Sequence, residues 1–551
     1  MAQSKAWNRR AAMIGGALLA AGAGALVWRS SSRKQLPLAG PGTLRRGNAA
    51  EPNTLDPALA SGVQEEEIIG DLLVGLMTPD PMARPVPGMA TRWQTSADGL
   101  VWTFHLRQAQ WSDGAPVTAE DFVYSWRRTL TPATASTYAY FLYPIKNAEA
   151  VNNGKLPATA LGVRAPDAAT LEVHLEHPAP YLLEMLFHQT MMPVPRHVVE
   201  RAGRDWARPG SYVGNGPFVL ESWVPNDHVL VKKNPRFYDA DKVALDEVYF
   251  FPTDDYSSAL DRFRKGEIDT QEKLPGQKID WIRANIPEAL KDVPQLTTEI
   301  IAVNFKRKPF DDIRVREALN LALDREALTQ RIRRVGDVPA YALVPPITAN
   351  YPGGAQFDFK SMRQADRVEK ARSLMRAAGF GENNRVKTTY MMRGTTAGSG
   401  RAVAAAVQQM LAQVYIDASI IPNDMAIFYL TIQVHNFDIC QSAWLADFND
   451  AATFLELLRT GGGNNWGEYS NPAYDALLDA AQADPDLISR GRKLAAAEAL
   501  ALKDHALMPI WFWNNSNLIW PYLKGFEANA MDFHRSRWVS IDQAARLKRF
   551  A

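Results

Sequence analysis

The residues best placed to do chemistry lie in one segment, Asp438–Leu458, with the sequence DICQSAWLADFNDAATFLELL. It begins as a short apolar run that ends near Trp444, typical of a strand, and it finishes in a helix-like apolar pattern. Between these two patterns stand Asp447, Asn449 and Asp450. An acidic residue at a strand-to-helix corner, beside a large aromatic residue, suits a site for a cationic group.

Two other interpretations of these acids remain open at this point. Asp447 or Asp450 caps the helix that is entered at Ala451. Alternatively, the two acids form the carboxylate pair of an exported hydrolase such as a glycosidase, for which the 15 tryptophans would suit sugar stacking. Acids three positions apart on one local segment rarely straddle a scissile bond, since catalytic carboxyl groups stand roughly 5–10 Å apart. Because the sequence also has neither a nucleophile-elbow motif nor a zinc signature, no catalytic site is predicted.

Composition limits the class of protein. A chain of 551 residues exceeds one domain of roughly 100–200 residues, so about three units are expected. The net charge of +1 gives no field that would gather nucleic acid. Cys440, the single cysteine, cannot form an intrachain disulfide and is predicted to be a buried, inert thiol. No Cys/His spacing resembles a metal site, so neither metal nor cofactor is predicted.

The N-terminus has the pattern of a targeting segment. Lys5, Arg9 and Arg10 precede the uncharged, Ala- and Gly-rich stretch Ala11–Trp28. Basic residues before a short apolar run indicate an export signal, and the arginine pair suggests the twin-arginine type. The stretch is also about long enough for an uncleaved membrane anchor. In both cases the rest of the chain would lie outside the cytoplasm, in the periplasm, with folded sequence starting near Thr43.

Strand and helix patterns alternate along the remaining chain, which predicts the α/β class. The predicted strands are Leu100–Arg107, Thr170–Glu176, Phe218–Trp223, Val229–Lys232, Thr297–Phe305 and Ala418–Ile421. The predicted helices are one headed by Thr118 with Asp121 as a capping box, one in Ala259–Asp269, Lys308–Val335 capped by Asp311 or Asp312, Gln364–Ala378, and Arg401–Val414.

Seven segments, in this order and spacing, resemble one family. They are Asn53–Pro57, Val101–Arg107, Trp111–Arg128, Asn215–Trp223, Arg264–Asp269, Phe310–Glu326 and Trp444–Leu455. The chain resembles the extracytoplasmic oligopeptide-binding proteins of bacterial ABC importers, which are solute-binding proteins of family 5. The murein-peptide-binding branch is an alternative within that family.

The resemblance implies a three-lobed periplasmic-binding-protein fold of the α/β class, with a two-strand hinge and a ligand cleft between the lobes. After the export signal or anchor and linker at 1–42, lobe I would comprise 43–73, 198–299 and 515–551. Lobe II would comprise 74–197 and lobe III 300–514. Such proteins are binding proteins without chemistry of their own. The expected partners are therefore short extended peptides and an ABC-type membrane permease, with the chain acting as a monomer.

The resemblance also implies the ligand-binding residues. Asp447, in the Trp444-x-x-Asp447 corner, matches the acid that pairs with the peptide α-amino group. Ala443 and Leu445 would offer backbone groups to the peptide. The other implied ligand-binding residues are Ser61, Gly62 and Val63 as a facing backbone segment, and Tyr138 as a tyrosine that closes over the ligand.

The sequence departs from the family where a peptide carboxylate would be received. Ile432 and Gln441 stand where arginines are expected, and a histidine is replaced near Ser399. The grip on the amino end is kept, whereas the grip on the carboxyl end is altered. A murein tripeptide, or a non-peptide ligand such as a metal chelate, haem or opine, therefore remains an alternative.

Overall fold

A computed structural model describes residues 39–393, 400–423 and 425–551. Strands and helices alternate along them, which confirms the α/β class. The predicted signal or anchor at Ala11–Trp28 lies outside the described residues. Within the described ranges, no helix is both long enough and apolar enough to cross a membrane.

The strands are β1 (Thr43–Gly47), β2 (Met77–Pro79), β3 (Pro85–Pro87), β4 (Ala90–Thr95), β5 (Val101–Leu106), β6 (Val163–Asp167), β7 (Thr170–His174), β8 (Phe218–Val224), β9 (His228–Lys233), β10 (Glu247–Phe251), β11 (Thr270–Gln271), β12 (Leu290–Val303), β13 (Val338–Pro339), β14 (Val386–Arg393), β15 (Ile416–Asn423), β16 (Ile439–Leu445), β17 (Met508–Ile519), β18 (Leu523–Lys524) and β19 (Ser540–Ile541). The α-helices are α1 (Val63–Leu72), α2 (Ala119–Leu130), α3 (Ala148–Asn152), α4 (Leu182–Met185), α5 (Arg196–Ala202), α6 (Tyr256–Arg264), α7 (Ile279–Asn285), α8 (Ile313–Ala322), α9 (Gln364–Ala377), α10 (Gly400–Ala412), α11 (Met425–Gln433), α12 (Ala452–Leu455), α13 (Pro472–Gln482), α14 (Leu487–Lys503) and α15 (Gln543–Phe550).

Two sheets organise the chain. A large mixed sheet has the order β15-β14-β16-β12-β17-β11-β1-β10-β9-β8, with β13 added beside β17. A small antiparallel sheet has the order β4-β5-β7-β6. In β5, Trp102, Phe104 and Leu106 are buried and alternate with half-buried residues. This period of two is why the segment forms a strand with one face on the core.

The long strands β12 and β17 connect the two halves of the large sheet. They pair antiparallel at both ends, and their register is interrupted between Pro294 and Thr298. Proline has no backbone N–H to donate to the ladder, so this is a weak point in the pairing. These two strands are the two connections that the expected two-strand hinge requires. The numerical boundaries of the three lobes stay a prediction.

Most of the elements predicted from the sequence are confirmed. The capping box at Thr118 is present, with the Thr118 amide donating to Asp121 at 2.8 Å. The helix α9 ends before Gly379, whose φ of +93° suits glycine at a helix end. The strand predicted at Thr297–Phe305 is β12, which begins at Leu290 and is thus longer at its start than predicted.

The single helix predicted over Lys308–Val335 is wrong. The helix α8 ends at Ala322, and a separate π-helical segment follows from Ala327. Asp324 accepts a hydrogen bond from the Ala327 amide at 2.9 Å and starts that second segment. Between the two, the buried Arg325 guanidinium donates to backbone carbonyls far along the chain. These distant bonds accompany the break, and the periodic pattern of the sequence does not show them.

Candidate functional site

The strand β16 has one edge that is only half used. It pairs with β12 along its whole length, from Ile439 to Leu445, but with β14 only from Ile439 to Gln441. In the described part of the chain, no strand pairs with this second edge from Ser442 onward. An open edge carries unpaired N–H and C=O groups, and these can pair with an added extended chain.

The backbone groups of Ala443 and Leu445 face that open edge. The Ala446 amide donates to the Leu296 carbonyl at 2.8 Å, so it points towards the strand β12. Backbone groups of successive strand residues point to opposite edges, which turns Leu445 and Ala443 the other way. The backbone groups of these two residues are therefore oriented so that they could pair with a ligand, as predicted.

Trp444 braces the corner that follows the strand. Its indole N–H donates to Thr453 Oγ1 at 3.1 Å, and its ring lies 6.2 Å from that of Trp466. The tryptophan therefore fixes the first turn of the short helix α12 against the end of β16. Its predicted contact with a ligand stays a prediction.

Asp447 lies two residues beyond the end of β16 and is half-buried. Its Oδ2 accepts a hydrogen bond from the Tyr140 hydroxyl at 3.3 Å. Burial raises the pKa of the Asp447 carboxyl from 3.8 to about 7, and the bond from Tyr140 opposes that rise. Among the described residues, no lysine, arginine or histidine forms an ion pair with it. A desolvated carboxyl without a cation is the arrangement that a cationic ligand would complete.

The residues across from Asp447 are aromatic and neutral. The Tyr138 ring lies 5.4 Å from the rings of both Tyr140 and His188. Burial, reinforced by the nearby Asp447 charge, raises the pKa of both tyrosines. Burial lowers the pKa of His188 to about 3, and its Nδ1 accepts from the Thr190 amide. None of these groups supplies a positive charge to Asp447 near neutral pH.

The structure brings Tyr138 close to Asp447, but Tyr140 is the residue that contacts the carboxyl. The sequence shows Tyr138, Tyr140 and Tyr143 in one short segment, and nothing in the spacing distinguishes them. Tyr143 turns away and donates to Asn152 at 3.0 Å. Tyr140 is therefore a site residue that the sequence analysis missed.

Asp450 has a structural role. Its Oδ1 accepts from the Ala452 amide at 2.9 Å, but the N-cap residue of α12 is Ala451, so Asp450 bonds the first helical amide from one position before the cap. Both carboxylate oxygens also bind the Arg490 guanidinium, at 2.6 and 2.9 Å, and both side chains are buried. A carboxylate held by two charge-assisted bonds is not free to act as an acid or base. The paired-carboxylate hydrolase therefore lacks one of its two groups.

An aromatic contact joins the corner after β16 to the chain around α4. The Phe448 ring stacks on the Tyr181 ring, with centroids 5.0 Å apart, and meets the Phe141 ring edge-on at 6.2 Å. The Arg490 guanidinium lies over the Tyr181 ring, 4.6 Å from its centroid. Together with the bond from Tyr140, these contacts enclose Asp447 between β16 and the segments that carry Tyr140, Phe141 and Tyr181.

The other predicted positions are more dispersed. Gly62, whose backbone is extended, follows Ser61 and is the N-cap of α1, and Val63 is the first residue of that helix. In the described ranges these three make no hydrogen bond to the corner after β16, so their ligand role stays a prediction. Ile432 is buried in α11. Ser399 lies outside the described residues.

Gln441 stands in a polar cluster at the start of the open edge. Its amide donates to Glu299 Oε1 at 2.8 Å, and its side-chain oxygen accepts from the Tyr390 hydroxyl. Glu299 Oε2 accepts from Trp513 Nε1 at 3.0 Å and from Arg393 Nη2 at 3.4 Å. An arginine is thus present beside the position where the sequence lacks one, although it comes from β14.

Comparison with known proteins identifies the family of the chain. The model for the bacterial extracellular solute-binding proteins of family 5 matches residues 84–466. The chain belongs to this family. The resemblance stated from the sequence is confirmed, and so is the expected lobed α/β fold.

Three relatives show what members of this family bind. The periplasmic oligopeptide-binding protein OppA of Salmonella typhimurium is 35% identical over 88% of this chain and 89% of its own. The probable deoxycholate-binding periplasmic protein YgiS of Escherichia coli is 33% identical over 92% of this chain and 94% of its own. The solved structure of the Escherichia coli murein tripeptide binding protein MppA has a TM-score of 0.82 and 34% identity. That likeness covers 92% of this chain and 99% of the solved chain.

Proposed function

We propose that this protein binds short peptides in an extended conformation, with the peptide ammonium group held by Asp447. It acts outside the cytoplasm, as a monomer without chemistry of its own, and delivers the peptide to an ABC-type membrane permease. The observation that carries the proposal is the desolvated carboxyl of Asp447, which pairs with no cation among the described residues and lies at the end of a strand edge that no described strand covers from Ser442.

The two features support each other physically. Every peptide carries backbone N–H and C=O groups, so pairing them with Ala443 and Leu445 gives affinity without a demand for sequence. Asp447 then adds a charge-assisted bond to the α-ammonium group, which only the first residue of a peptide carries. A binding protein with this division of roles accepts many sequences but requires a free amino end.

A murein tripeptide and a non-peptide ligand remain the second candidates, because relatives of nearly full coverage are named for such ligands. Mass spectrometry of the small molecules that co-purify with the protein separates the three. Peptides of mixed sequence are expected. A diaminopimelate-containing peptide or a bile acid as the dominant species would replace the proposal with the corresponding alternative.

Affinity for trialanine should depend on pH in a way that reports Asp447. Its raised pKa of about 7 means that the carboxyl is protonated below pH 7 and must lose a proton to pair with an ammonium group. Affinity should therefore rise about tenfold per unit between pH 5 and pH 7. Above about pH 8 it should fall again, since the peptide amino group then deprotonates.

Isothermal titration calorimetry across this range measures the profile, and two buffers of different ionisation enthalpy count the protons released. The facing groups, Tyr138, Tyr140 and His188, do not titrate in this window. The variant Asp447→Asn should lose the acidic limb and keep the alkaline one. A wild-type profile that is flat between pH 5 and pH 7 would show that Asp447 is not the partner.

A further inference from the structure

Arg393 stands where the open edge of β16 begins. It is the last residue of β14, which runs parallel to β16 with Met392 opposite Gln441. One step further along the same register places Arg393 beside Ser442, the first residue of the edge that no described strand covers. Its guanidinium therefore supplies a cation at the end of that edge opposite Asp447.

The side chain is only partly engaged. Its 26% exposure leaves it accessible. Within the described ranges, its hydrogen bond is the one to Glu299 Oε2, at 3.4 Å. Glu299 already accepts shorter bonds from Gln441 and Trp513, at 2.8 and 3.0 Å. A guanidinium has five N–H donors arranged in a fork that matches a carboxylate, so Arg393 retains capacity for an anionic group.

A peptide with its amino end at Asp447 has one direction available along this edge. It must run antiparallel to β16, from Asp447 back towards Ser442, and its carboxyl end then approaches Arg393. Beyond that point β14 itself occupies the edge, up to Gln441. The open edge therefore has the Asp447 carboxyl at one end and the Arg393 guanidinium at the other, and β14 blocks the edge beyond Arg393.

We propose that Arg393 binds the terminal carboxylate of the peptide and, with Asp447, favours ligands of three or four residues. The five steps from Ser442 to Asp447 span about 17 Å at roughly 3.3 Å per strand residue. A tripeptide or tetrapeptide covers most of that distance, and the two charged side chains reach inwards for the rest. Arg393, from the neighbouring strand, replaces the arginines that are absent at Ile432 and Gln441.

This inference rests on the proposed function, and calorimetry with alanine peptides of two to five residues tests it. Each peptide is used in free, N-acetylated and C-amidated forms. The tripeptide and tetrapeptide should bind most tightly. Amidation should weaken their binding about tenfold or more, because it removes a charged hydrogen-bond acceptor. The variant Arg393→Gln should bind free and amidated peptides equally, while it still discriminates against N-acetylation.

Arg385→Gln is the matched control. Arg385 directly precedes β14, at the end away from the site, and its side chain has a similar exposure of 23%. It should keep the wild-type response to amidation, and Arg393→Lys should restore part of that response. Thermal unfolding of each variant shows that it is folded.

The outcomes separate the two proposals. Discrimination against N-acetylated but not amidated peptides by the wild type would overturn the role of Arg393 and leave that of Asp447 intact. If Arg393→Gln still bound free peptides more tightly than amidated ones, the role of Arg393 would also be overturned. If the dipeptide or the pentapeptide bound most tightly, the proposed preference for three or four residues would be overturned. Failure of every alanine peptide to bind would overturn the proposed function and this inference with it.

Discussion

Asp447→Ala should weaken the binding of trialanine by roughly 2–5 kcal/mol, a loss of about 30-fold to about 5,000-fold in affinity. The physical reason is that the peptide ammonium group would enter a desolvated site and find no anion there. Asp447→Asn, which keeps the shape of the side chain, should lose affinity in the same range, because the amide cannot supply the charge.

Asp227→Asn is a suitable control, since Asp227 is 67% exposed in the turn between β8 and β9. It should bind trialanine like the wild type.

The stability of Asp447→Asn provides a second check. Because burial raises the pKa of Asp447, the ionised carboxyl destabilises the unliganded fold at pH 8. The asparagine variant should be at least as stable there as the wild type. Wild-type affinity in Asp447→Asn would contradict the amino-end assignment.

Asp450→Ala should instead lower the free energy of unfolding by roughly 3–5 kcal/mol, because it leaves the buried Arg490 guanidinium without its anion. The variant also loses the acceptor of the hydrogen bond from the Ala452 amide. Chemical denaturation monitored by circular dichroism measures the change. The same loss is expected from Arg490→Leu, which leaves the Asp450 carboxylate unpaired.

An exposed ion pair serves as the control for this prediction. On α5, Arg196 Nε lies 2.8 Å from Glu200 Oε1, and the two side chains are 52% and 53% exposed. Glu200→Ala should change the free energy of unfolding by less than about 1 kcal/mol. If Asp450→Ala were equally mild, the buried pair would not hold the corner that positions Asp447.

The opposite signs of these stability effects distinguish the two neighbouring acids. Asp450 has a cation and a backbone amide as partners, so removing it costs the fold. Among the described residues, the Asp447 side chain has one hydrogen-bond partner, the Tyr140 hydroxyl at 3.3 Å, and no cation pairs with it. From the sequence alone both residues are acids near a helix start, and the resemblance to a family was needed to separate them.

The sequence predicts those features whose causes are local. The alternation in β5 and the capping box at Thr118 each depend on residues a few positions apart, and both are confirmed. The break after α8 coincides with bonds of Arg325 to distant carbonyls, which the periodic pattern could not show when it predicted one helix in error.

The same reason explains what was missed at the site. Tyr140 meets Asp447 across 307 positions of sequence, and Arg490 meets Asp450 across 40. Arg393 is brought beside Gln441 only by the parallel pairing of β14 with β16. Spacing along one chain carries no information about such pairs, whereas the register of the sheet fixes them.

The central claim, that Asp447 binds the ammonium group of a peptide, is tested most directly by a double-perturbation cycle in calorimetry. Trialanine and N-acetyltrialanine are each titrated into the wild type and into Asp447→Asn at pH 7.5. Acetylation should cost the wild type most of its affinity and cost the variant little, because the same interaction is removed from either side. Equal losses on acetylation in both proteins would contradict the claim.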